Sequence, residues 1–378
     1  TIDSLGYFYG SITKLLGFTP HKHEGKVLGL AAHANPSKAI KDIRKIFRYN
    51  FKTKNFEGLS HKGYYLPKFE NSFLKELLRK YSKSEIASAT QKRLEEVVSQ
   101  YINDIDKKKF DLALAGGVFS NVKLNQVIQL NKKVNRTYIF PNMGDGGLCV
   151  GAATLILNEK KKYKNFKLKN MYLGPSISSN EVKKISANFY VKKVETDNIY
   201  KFIASKLYKG CVVGVVQEKM EFGPRALCNR SIISSAKDKK INFTLNKKLK
   251  RTEFMPFAPV VLKNDFDDYF YKIEKKHSSS LHMTMTFKCK TKIIKKAPGV
   301  FHIDNTARPQ IIDKSINKRM YNVLSNFKKI SGIGVLINTS FNMHEEPIIC
   351  TINDAFRAFI SSKLDYLMIN DEIFRRIK

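Results

Sequence analysis

"KFDLALAGGVFSNVKLNQVIQL", Lys109–Leu130, sets the fold class of this chain. Leu112 to Ala115 read as a strand and Gly116-Gly117 as a tight turn. The segment after them reads as a helix, with Val122, Val127, Ile128 and Leu130 on roughly one side. The unit repeats from Thr137: "TYIFP" is a short strand ended by Pro141, "NMGDGG" a loop, and "LCVGAATLILN" a small-residue helix able to pack closely on a sheet. Such alternation predicts an α/β architecture. Further along, "EKKKYKNFKLKN", Glu159–Asn170, is lysine-rich with few core residues, and is the expected boundary between a first domain over 1–165 and a second over 171–378. The second opens near Met171 and offers strands at "CVVGVVQ", "GIGVLIN" and "DYLMIN", with a helix near "NDAFRAFISS".

The chain has 378 residues, 43% hydrophobic and 27% charged, enough to bury a large core and to form two domains. No apolar run approaches the ~18 residues that a membrane span needs, and no export segment opens the sequence, so the expected compartment is the cytoplasm. Five cysteines, scattered and without CxxC spacing, read as reduced and mostly buried thiols. A net charge of +35 raises nucleic acid as a partner. Lysines outnumber arginines roughly four to one and lie among Asn and Ile instead of interleaving with aromatics, so a solvated basic surface is the favoured reading and nucleic acid is not the expected ligand.

Both glycine loops follow strands, where backbone N–H groups and a helix N-terminus converge on anions. Asp145 in "GDGG" reads equally as a cap of the next helix or as a ligand for a metal or a hydroxyl. "QEKMEFGPRALCNRSIISS", Gln217–Ser235, is more specific, because Arg225 and Arg230 bracket a Gly-Pro turn and Ser231 follows. Fixed guanidinium groups suit phosphate or carboxylate, and the ordinary alternative is a salt-bridge network with Glu218 or Glu221. Asn338, Thr339 and Ser340 directly follow an apolar strand, as a binding site at the carboxyl edge of a sheet would. Together these stretches describe a pocket for a small anionic molecule.

Seven stretches in order carry a resemblance to the carbamoyltransferases of the nodulation-protein and antibiotic-tailoring family. They are "EGKVLGLAAHANP", "LAGGVFSNVKLN", "PNMGDGGLCVGAA", "EFGPRALCNRSI", "MPFAP", "DNTARPQ" and "NTSFNMHEEPI". The resemblance implies part of an actin-like ATPase (Kae1-like) carbamoyl-transfer domain followed by a YrdC-like α/β domain. It implies ATP-dependent conversion of carbamoyl phosphate to carbamoyl adenylate, then transfer of the carbamoyl group to a hydroxyl of a small molecule or glycan. It places Arg225, Arg230, Lys250 and Arg251 on phosphates, with Ser231 beside them. Arg308 and Ser340 would grip carbamoyl phosphate, and Asn338, Thr339 and Asn342 would orient its amide. Gly116, Gly117, Asn121, Gly146 and Gly147 would contact nucleotide, and Asp145 a divalent metal, with iron expected before magnesium or manganese. A homodimer is a further expectation.

Three positions depart from the family pattern: Cys228 and Asn305 stand where glycine is usual, and Met255 where arginine is usual. At Cys228 a right-handed backbone would tolerate the side chain. The family's His-x-x-x-His pair has no counterpart among the eight histidines, and His21 with His23 reads as a solvated loop pair. An amino-terminally truncated fragment is therefore expected. The readings of other classes are a threonylcarbamoyl-type tRNA-modification factor or other basic nucleic-acid binder, and a catalytically inactive structural protein.

Overall fold

The computed structural model describes residues 3–58, 72–160, 168–250, 256–274 and 278–377. The architecture is α/β. Its first part joins the helices Leu5–Leu15 and Glu24–Ala31, an antiparallel hairpin of Phe47–Asn50 and Asn55–Gly58, and the long helix Lys83–Ile105 to a parallel pair of strands, Phe110–Leu114 and Val134–Ile139. The long helix starts at a capping box, with the Ser82 hydroxyl on the Glu85 N–H and the Glu85 carboxylate on the Ser82 N–H. The expected strand-loop-helix units are both present, with the first helix at Val122–Gln129 and the second at Leu148–Glu159. The second helix differs from expectation: none of its residues is buried, and Leu148 is 69% exposed. Among the described residues no sheet face closes over it.

The second part is built on an eight-stranded mixed sheet. Its strand order is Gln310–Ile312, Ala258–Leu262, Val335–Ser340, Arg230–Ser235, Val213–Val216, Tyr366–Ile369, Glu372–Arg376 and Val191–Lys193. The strands Val213–Val216 and Ala258–Leu262 are apolar and buried along their length because both faces are covered. Side chains alternate with the pleat. Val213, Val215, Ile233, Val260 and Leu336 meet the helices Ile199–Tyr208 and Lys318–Ser331, while Val216, Ile232, Val261 and Ile337 join the other layer with Phe356 and Phe359 of the helix Ile352–Ser361. That second layer runs on into Phe8, Ile12 and Leu94, so one buried apolar cluster serves both parts. Most of the lysine-rich stretch expected to divide them, residues 161–167, lies outside the described residues.

Candidate functional site

The two glycine loops lie side by side at the carboxyl ends of the parallel strands, with the Gly116 N–H donating to the Met143 carbonyl at 2.6 Å. Gly147 lets the second loop fold back on itself, since a Cβ there would stand 2.2 Å from the Asn142 carbonyl oxygen. The arginine turn packs on this loop through Gly223, whose φ of +138° is open to glycine, and on the first loop through Arg225, whose Nη2 donates to the Ser120 carbonyl at 3.2 Å. Three motifs distant in sequence therefore meet at one place. Inside the turn, the Glu221 carboxylate accepts from the backbone N–H groups of Leu227, Asn229 and Arg230 at 2.6, 2.7 and 3.1 Å. Burial nonetheless pushes its pKa up.

These contacts wall a cleft of about 630 Å³ between the two parts, and six expected residues line it: Arg225, Arg308, Asn338, Thr339, Ser340 and Asn342. Burial pushes the Arg225 guanidinium down to about 10, with no carboxylate among the described residues to offset it, so it stays cationic at neutral pH. Its Nε has no hydrogen-bond partner. Asn338 is 1% exposed and its Nδ2 donates to the Ala226 carbonyl and to Gln310 Oε1, leaving Oδ1 without a partner. An enclosed cation, a strand-end hydroxyl and a fixed amide acceptor can hold an oxyanion and an N–H group together.

Other expected residues are placed elsewhere. Arg230 is fully buried, and its guanidinium donates to the carbonyls of Gln217, Asn229, Pro175 and Glu218. It ties backbone together and does not line the cleft, which corrects its expected place on phosphate. The alternative salt-bridge network is also absent: Glu218 pairs with Arg319, and Glu221 is spent on backbone N–H groups. Ser231 accepts from the Cys228 N–H, away from the cleft. Lys250 is exposed, in left-handed backbone after the helix Ile241–Leu249, and is not a cleft residue; Arg251 and Met255 lie outside the described residues.

Gly116, Gly117, Gly146 and Gly147 form the paired loops, whereas the Asn121 side chain caps the helix Val122–Gln129 and donates to Gln91. Asp145 is exposed and makes no cap hydrogen bond, so the capping alternative fails. Among the described residues no cluster of three His, Cys, Asp or Glu side chains fits a metal, so Asp145 belongs to no such cluster there. The cysteines are free as expected, but only Cys228 and Cys289 are buried.

Two departures from the family pattern now have a geometry. Asn305 has φ +57° and Cys228 φ +78°, both in the left-handed region where glycine is usual. Asn tolerates it; at Cys228 the right-handed backbone expected from the sequence is not what forms.

Sequence reasoning missed His23, Lys26 and His344, which also line the cleft. His23 is no solvated loop residue. Its side chain is 14% exposed, its Nδ1 accepts from the Thr19 N–H, and its Nε2 lies 3.5 Å from Glu345, which also pairs with Lys22 at 3.0 Å. The signal was available in part, since His23 directly precedes the motif "EGKVLGLAAHANP", but its partner Glu345 lies at the far end of the chain.

The description "Carbamoyltransferase N-terminus" matches residues 1–154, and "Carbamoyltransferase C-terminus" matches residues 204–376. An uncharacterised protein of Methanocaldococcus jannaschii is 36% identical over 386 residues, covering 99% of this chain and 62% of its own length. A second from the same archaeon is 36% identical over 393 residues, covering 100% and 73%. Nodulation protein NolNO of Sinorhizobium fredii is 30% identical over 393 residues, covering 99% and 56%. The chain thus spans roughly six to seven tenths of the length of these relatives. The crystal structure of full-length HypF in its phosphate- and nucleotide-bound form aligns with 50% of this chain and 22% of its own at TM-score 0.37 and 18% identity, a likeness too slight to bear on the fold.

Proposed function

The chain belongs to the carbamoyltransferase family, and from that premise we propose that it serves ATP-dependent O-carbamoyl transfer, with its cationic cleft as the site that activates carbamoyl phosphate. The observation that carries the reading is the convergence of Arg225, Arg308, Ser340 and Asn338 on one cleft from three separate motifs. Arg225 and Arg308 take the phosphate, Ser340 hydrogen-bonds one of its oxygens, and Asn338 Oδ1 accepts from the carbamoyl amine. Thr339 and Asn342 complete the wall at the end of the strand. Carbamoyl phosphate, ATP and water would then give carbamoyl adenylate, inorganic phosphate and pyrophosphate, with fixed arginines stabilising charge on the leaving groups.

A second cavity of about 300 Å³ shares Leu28, Val122, Phe257 and Arg308 with the cleft. Its mostly apolar lining suits the nucleoside end of ATP. Gly116, Gly117, Gly146 and Gly147 are the candidate nucleotide contacts of the first domain, over 1–165. The hydroxyl acceptor is a small molecule or glycan.

The test is carbamoyl-phosphate-dependent release of pyrophosphate from ATP by the full chain, which needs no acceptor. Arg308→Leu and Ser340→Ala should each remain folded and lose at least ~100-fold in kcat/KM, the usual loss when a placed oxyanion partner is removed. Rates within about twofold of wild type in both variants would remove these residues from the site.

A further inference from the structure

Cys228 stands where the family pattern has glycine, in a backbone conformation that disfavours a side chain, with φ +78° and no exposure. Its surroundings are a chain of buried amides whose orientations are fixed by groups that can only accept. Gln310 Nε2 donates to the Leu227 carbonyl at 3.0 Å, so its Oε1 must face the other way. That oxygen accepts from Asn338 Nδ2 at 2.6 Å and from the Cys228 thiol at 3.3 Å. The second Asn338 donor goes to the Ala226 carbonyl at 3.0 Å. Both donors of Asn338 are therefore spent inside the protein, the amide cannot turn over without setting Oδ1 against the Ala226 carbonyl and Gln310 Oε1 in place of a donor, and Oδ1 itself has no partner. Asn338 lines the cleft.

We propose that Cys228 is a specificity-determining positioning residue: its sulfur, 3.4 Å from Asn338 Nδ2 and bonded to Gln310, locks Asn338 directly and through Gln310 so that Oδ1 is presented only as an acceptor, selecting carbamoyl phosphate over phosphates that lack an N–H. This rests on the donor assignment made above and adds to it a residue that the family pattern does not supply. The thiol is suited to the task because burial, with Glu221 nearby, holds it protonated and hence a donor. A site that presents a fixed acceptor to a substrate N–H rejects the analogue without one, because the acceptor is then left dry and unpaired.

The experiment compares Cys228→Ala, Cys228→Gly and Cys228→Ser with wild type in the full chain. Pyrophosphate release gives KM for carbamoyl phosphate, and competition gives inhibition constants for acetyl phosphate and inorganic phosphate. Alanine removes the thiol and keeps the strained backbone; glycine removes both. In both, KM for carbamoyl phosphate rises about tenfold while the two inhibition constants stay within about twofold, and serine, which keeps a donor, recovers most of the loss. An unchanged KM in the alanine and glycine variants overturns the inference. So does a parallel weakening of all three ligands, or a serine variant no better than alanine. A wild-type chain that releases no pyrophosphate with carbamoyl phosphate overturns the donor reading itself, and this inference with it.

Discussion

Arg225 and Arg230 flank the same turn and carry the same group, yet their surroundings set them to different work. Arg230 is sealed, with four backbone carbonyls around its guanidinium. Arg225 lines the cleft and gives one hydrogen bond to Ser120. Removing a buried charge that satisfies several acceptors leaves those acceptors dry, so Arg230→Met should cost about 3–5 kcal/mol, read as a fall in the urea midpoint. Arg225→Met should stay within about 1 kcal/mol of wild type and lose binding of carbamoyl phosphate instead. Equal destabilisation by the two would erase the distinction. From sequence the two were indistinguishable, because nothing in "GPRALCNR" says which side chain faces inward. The direction follows from the register of the strand Arg230–Ser235, which pairs with Val213–Val216 and Val335–Ser340.

At the level of elements, local signals were legible and long-range ones were not. Glycine turns after apolar runs, with period-2 or period-3.6 patterning around them, marked both loops and the strands at "CVVGVVQ", "GIGVLIN" and "DYLMIN". The convergence of three motifs on one cleft depends on sheet order, which no local pattern encodes. The small apolar residues of the helix Leu148–Glu159 make it able to pack closely on a sheet, but the described residues supply no covering face. The loop before it allows a sharp contrast. Gly147→Ala drives a Cβ to 2.2 Å from a backbone oxygen, an approach that no rotamer relieves, and should cost at least about 2 kcal/mol in thermal or urea unfolding. Asp145→Asn, at an exposed side chain with no cap hydrogen bond, should leave stability within about 0.5 kcal/mol. A large loss at Asp145 would mean that it holds the loop after all.

Across the whole molecule, the two parts are joined by a seam of specific bonds as well as by shared core. Asn125 Nδ2 donates to the Thr284 carbonyl at 2.7 Å, the Thr286 N–H to the Val122 carbonyl at 3.2 Å, and Lys123 pairs with Asp304 at 2.9 Å. His282 lies in this seam segment, its Nδ1 next to the Ser278 carbonyl at 3.3 Å, and burial takes its pKa from 6.5 down to about 4. His302, also buried, moves in the same direction. The neutral ring is the form that the fold accepts. The unfolded chain takes up a proton near pH 6.5, so stability is fully present above that pH and is lost as pH falls from 6.5 toward 4. Between pH 7 and 5 the loss assigned to His282 is at most about 2 kcal/mol, on ~1.4 kcal/mol per unit across the part of the window crossed. His302 contributes its share in wild type and variant alike, so the difference between them isolates one ring. Urea midpoints for wild type and His282→Gln at pH 7 and pH 5 should show wild type losing more over that interval, with the variant starting no more than about 1 kcal/mol lower at pH 7. Parallel losses in the two proteins would mean that His282 is not titrating in the seam, and that acid opens the molecule elsewhere.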